Sequence, residues 1–174
     1  FGDEELAETA IQDRTGLLGH LADGVGSDGM WFEGDNYHLF ALRGLLVGLA
    51  WARTAGAELL DDPEVAAHLA QALMAPADTA LPDLTFPARK DARYGVSLSH
   101  PAYIECWEAG HATLGDREPA ELVPWLHALY GVALKDEQAY DSSLHESDVE
   151  TPVRRTRPDL SWWALLTKES DLPP

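Results

Sequence analysis

The run from Leu39 to Trp51 constrains this chain more than any other stretch. It is apolar at nearly every position and is interrupted only by Arg43, Gly44 and Gly48. A helix that is apolar almost all round needs neighbours on several sides. Gly44 and Gly48, one helical turn apart, would let one of those neighbours approach closely. Just before the run stands a polar cluster of Glu33, Asp35, Asn36, Tyr37 and His38, introduced by the turn-forming pairs Asp28-Gly29 and Gly34-Asp35. Asp35 or Asn36 is expected to cap the helix, because a short side-chain oxygen satisfies the free N–H groups of the first turn. Polar groups and aromatics therefore gather at the mouth of a buried helix. That arrangement suits a substrate face, and it equally suits an ordinary capped helix.

The rest of the chain reads as helices joined by loops. Leu6, Ala7, Ala10, Ile11, Leu17, Leu18 and Leu21 recur at spacings near three and four, which predicts one amphipathic helix over 3–21. The buried helix is expected over 37–55, ending at Gly56. A third spans 61–75, with an Asp cap and Pro63 in its first turn. Between Pro76 and Ser99 no helical period survives, and Pro76, Pro82 and Pro87 punctuate the stretch. A loop of that length inside a domain is usually functional or disordered. Phe86 and Tyr94 argue for order. Helices resume over 101–114, with Tyr103, Trp107 and His111 as a core-facing stripe, and over 119–130, with Pro119 at its start. Trp51 and Trp125 are expected in the core. An acidic loop over 136–150, a basic island at Arg154, Arg155 and Arg157, and a short helix containing SWWALL complete the reading. No strand pattern stands out, so the fold class is all-α, built from helical hairpins.

Charge narrows the function. The net charge of −18 disfavours nucleic acid and anionic membrane as partners, since both would be repelled. No apolar run reaches transmembrane length free of charge. A lone cysteine, Cys106, excludes an internal disulfide framework. His100, Cys106 and His111 match no standard zinc spacing, so no metal site is predicted. Ser97 and Ser99 beside His100 lack the G-x-S-x-G elbow of a hydrolase. Phe1 in place of Met predicts that residue 1 is not the genetic start: either an exported form has lost its leader, or these residues are a piece of a longer chain.

DGMWFEGDNYHLFAL at 28–42, the apolar helix ending in ARTAG, and PDLTFPARKDARYG at 82–95 together resemble the heparinase II/III-type polysaccharide lyases and the related oligo-alginate lyases. The similarity covers roughly Asp28 to Asp116, and WWALLTKESDLPP resembles the segment with which the family's helical domain ends. The resemblance implies part of an incomplete (α/α) toroid over residues 1–174, with the family's C-terminal β-sandwich absent. It implies cleavage of a uronate-containing polysaccharide or oligosaccharide by β-elimination, in a secreted or periplasmic setting. Carried over to this sequence, His38 and Asn36 neutralise the uronate carboxylate and Tyr94 acts as base or acid. Arg89, Lys90 and Arg93 bind the anionic groups, and Trp31, Glu33 and Tyr37 complete the substrate contacts. No cofactor is implied for these residues. An anionic saccharide is the expected partner, and self-association or a partner chain is expected to complete the toroid. Two other readings stay open: a non-catalytic carbohydrate-binding or scaffold fragment, and an unrelated acidic helical interaction domain.

Overall fold

The computed structural model of the chain describes residues 3–132. The expected acidic loop, the arginine island and the SWWALL helix lie outside them. Six α-helices follow one another: α1 Glu4–Gln12, α2 Leu17–Gly24, α3 Asp35–Thr54, α4 Pro63–Thr79, α5 Pro101–Leu114 and α6 Leu122–Tyr130. Among the described residues there are only isolated β-bridges and no strand, so the all-α expectation holds at the level of class.

The single helix expected over 3–21 is two. Asp13 ends the first by accepting from the N–H and the hydroxyl of Thr15, both at 2.8 Å. Such a local side-chain turn competes with helix continuation. α1 buries none of its residues and Leu6 stands exposed, while α2 packs on α3. The close approach expected at the helix glycines occurs at one of them. A Cβ on Gly48 would lie 2.7 Å from Leu17 of α2, whereas Gly44 faces open space.

α3 buries Leu39, Leu42, Leu45, Leu46, Leu49 and Ala52, the near-3.5 spacing of a single buried stripe. Phe40 and Trp51 fall on the opposite side. Trp51 is 71% exposed, which corrects its expected place in the core. Trp125 does pack inward, its ring 5.7 Å from that of Trp107 in an edge-on contact.

Pro76 was expected to end the third helix, yet α4 runs on through it to Thr79. A proline inside a helix has no N–H for the carbonyl four residues earlier. That carbonyl is Ala72 O, and it is satisfied from another helix: the His38 ring of α3 contacts it through Nε2 at 2.8 Å. The next carbonyl, Leu73 O, accepts from Trp107 Nε1 of α5, also at 2.8 Å. The Pro76 segment of α4 thus binds both α3 and α5 by their side chains.

α5 is central, packing against α3, α4 and α6. Its expected stripe is present: Tyr103, Trp107 and His111 are all buried. Cys106 lies in the same core, and burial pushes its thiol up to about 12, so it stays protonated and inert at neutral pH. α6 begins three residues later than expected, because residues 120–121 form a turn rather than helix, and Gly131 closes it as predicted.

The long loop between α4 and α5 is ordered by backbone pairing. Phe86 N–H donates to Val96 O at 3.2 Å and Leu98 N–H to Leu84 O at 2.8 Å. Phe86, Val96 and Leu98 are buried in the core, which anchors this pairing.

Candidate functional site

The polar cluster before α3 and the middle of the long loop meet along one seam. Gly34 and Lys90 form an antiparallel bridge. Asp91 N–H donates to Glu33 O at 3.3 Å, and Lys90 Nζ donates to Phe32 O at 2.5 Å. Gly34 has φ +116°, and a Cβ there would sit 2.5 Å from Arg89 O, so only glycine lets the loop approach. Ala88 and Lys90 flank Arg89 with φ of 52° and 56°, a conformation that side chains rarely adopt without external support.

Asp35 is central to the seam. It does not cap α3, as expected; Gly34 occupies that position and Asp35 is the first helical residue. Its carboxylate accepts instead from Arg89, at 3.0 Å from the backbone N–H, 3.1 Å from Nη2 and 3.5 Å from Nε. The positive end of the α3 dipole favours an anion at this point.

Asn36 and His38 lie beneath the seam, both buried. Asn36 Oδ1 accepts from the Tyr103 hydroxyl at 2.9 Å. His38 Nδ1 accepts from the backbone N–H of Trp31 at 2.9 Å, which leaves the proton on Nε2 for Ala72 O. Both nitrogens are occupied by backbone, so His38 must give up one bond before it can meet a substrate carboxylate. Burial also lowers its pKa from 6.5 to about 4, opposed by the bond to Ala72 and the charges of Asp35 and Asp28.

That shift makes stability depend on pH. His38 in the unfolded chain takes a proton below about 6.5, while in the folded chain it resists until about 4. The stabilisation is present in full above pH 6.5 and is lost as pH falls toward 4. Between pH 7.5 and 4.5 the His38 contribution should fall by about 2–3 kcal/mol. Carboxylates titrate over the same range, so the comparison is with His38→Asn, unfolded in urea at both values. If both proteins lose the same stability between the two values, the pH argument is wrong.

The remaining candidates divide between two surfaces. Trp31 and Tyr37, both half-buried, line a groove of about 1030 Å³ between α1–α2 and α3, together with Glu33, Phe40 and Arg43. Trp31 Nε1 donates to Glu33 Oε2 at 2.9 Å, and its ring packs on Phe32 with centroids 5.2 Å apart. Arg93 and Tyr94 stand on the loop beyond the seam, Tyr94 at 85% exposure. The structure therefore joins Asp35 to Arg89, Glu33 to Asp91, and Phe32 and Gly34 to Lys90, keeps Arg93 and Tyr94 on the outer loop, and places His38 and Asn36 under the surface.

Two elements were missed at the level of sequence. The Asp35–Arg89 pair spans 54 positions, and neither residue carries a local sign of the other. The Pro76–His38 relation did have a signal, since a proline inside a helical pattern implies a carbonyl in need of a donor. Among the described residues, no three of His, Cys, Asp and Glu converge as metal ligands, and no helix is long and apolar enough to cross a membrane. Compared with protein-family models, with curated proteins and with solved structures, the chain gives no match.

Proposed function

We propose that these residues belong to a polysaccharide lyase of the heparinase II/III-like type, form part of its (α/α) toroid, and present the seam to a uronate-containing saccharide. One observation carries the reading. The two stretches that bear the resemblance, 28–42 and 82–95, are tied into one face by the contacts of Phe32, Glu33, Gly34 and Asp35 with Arg89, Lys90 and Asp91.

Cleavage by β-elimination begins with removal of the C5 proton of a uronate. The neighbouring carboxylate resists a second negative charge, so hydrogen-bond donors must stabilise the enolate-like intermediate. Arg89, Lys90 and Arg93 would supply those donors. Tyr94 would take the C5 proton or deliver one to the departing glycosidic oxygen. Asn36 and His38, committed to Tyr103, Trp31 and Ala72, would hold the platform on which the donors stand. An overall charge of −18 does not forbid a polyanion, because charges beyond about 8 Å are heavily screened at physiological salt. A second reading, a carbohydrate-binding or scaffold fragment, is favoured by the burial of Asn36 and His38.

The test is to incubate the protein with alginate, heparan sulfate and polyuronate oligomers and follow the ultraviolet absorbance of an unsaturated uronate. Tyr94→Phe should lower the rate by about a hundredfold, the scale of a lost proton-transfer group. Its stability should stay within about 0.5 kcal/mol, as expected for an exposed side chain. Binding without product supports the second reading. A folded protein that neither binds nor cleaves removes both.

A further inference from the structure

We infer that Asp35 is a positioning residue that makes the guanidinium of Arg89 a preset two-donor clamp for the carboxylate of a uronate. The inference rests on the uronate-facing reading of the seam and adds how the carboxylate is held. Asp35 is 3% exposed and Arg89 45%, so the anchor is buried and the group it holds is not. The carboxylate grips both the backbone N–H and the side chain of the same arginine. That double grip restrains rotation of the side chain about its own stem.

The grip uses one edge of the guanidinium, Nε and Nη2. Nη1 and the outer hydrogen of Nη2 take no part in it. They form two parallel donors spaced to match the two oxygens of a carboxylate. Lys90 Nζ is tied to Phe32 O, a neutral partner that leaves its charge uncancelled. The loop backbone is bent to left-handed φ on either side of Arg89, at Ala88 and Lys90, and the Asp35 contact is made at the residue between them.

Charge and geometry predict opposite outcomes here. Asp35 cancels the charge of Arg89, so removing the carboxylate leaves a more positive face. If net charge alone attracted the saccharide, Asp35→Asn would bind anions more tightly. If Asp35 acts by aiming Arg89, the same change weakens uronate binding. Calorimetric titration with a uronate trisaccharide separates the two. Asp35→Asn should lose about tenfold in affinity. Arg89→Lys keeps the charge and loses the fork, and it should show a loss of the same size. Should Asp35→Asn fail to fold, as judged by circular dichroism, Arg89→Lys decides alone. Uronate bound by either variant as tightly as by the parent overturns the clamp and leaves the uronate-facing reading standing. A parent protein that does not bind the trisaccharide overturns that reading and the clamp with it.

Discussion

Replacing His38 with alanine is expected to lower the unfolding free energy by about 4 kcal/mol at pH 7.5. The imidazole satisfies two backbone groups on different segments, Trp31 N–H and Ala72 O. Without it both lose their protein partner in the interior, at about 1–3 kcal/mol each. The ring is also 1% exposed, so its removal leaves a cavity in the interior. Ala72 O has no alternative donor within its own helix, because the residue four places on is Pro76. His38→Asn should recover part of the loss, since its shorter side chain can accept from Trp31 but falls short of Ala72. Urea unfolding of the three proteins decides the matter. A loss below 1 kcal/mol in the alanine variant would mean that the two backbone groups find other partners.

Trp107→Ala should be at least as costly, about 4–5 kcal/mol. Trp107 is fully buried and is among the largest enclosed side chains of the described residues. Its ring meets Trp125 edge-on, a contact that adds to simple burial, and its Nε1 ties α5 to Leu73 O of α4. A domain of ordinary stability has about 5–15 kcal/mol in total, so this variant should be near half-unfolded or visibly lowered in melting temperature. Trp107→Phe keeps most of the apolar area and drops the donor, so it should cost only about 1–2 kcal/mol. Equal losses for alanine and phenylalanine would locate the value of the residue in its hydrogen bond instead of its volume.

What could be read from the sequence was whatever local periodicity and caps determine. The helix over Asp35–Thr54, the Asp62 cap with Pro63 behind it, the stripe of Tyr103, Trp107 and His111, and the stop at Gly131 all follow from spacing or from turn chemistry. The errors arose where a local preference was settled by something farther away. Asp13 closed a helix early through Thr15. Pro76 failed to close one because another helix supplied the missing donor. Trp51 was expected inside because its neighbours are apolar, yet the buried stripe of α3 passes on the other side. The site divided along the same line. That residues 33–38 form a polar group at a helix start was legible. That Asp35 turns toward Arg89 depends on how a loop 54 positions away folds back, and that His38 turns inward depends on where α4 brings Ala72 O, 34 positions away.

The proline inside α4 has a consequence for how much the outer loops can change. An uninterrupted helix offers its neighbours only side chains, and they can slide along it by a residue at modest cost. Here two adjacent carbonyls in α4 act as sockets, one receiving α3 and the other α5. The axial register of three helices is thereby set at a single level deep in the protein. The turn that carries Trp31 hangs from the same imidazole. Its height is dictated from below, so residues on the exposed rim can be exchanged freely while the base on which they stand keeps its place.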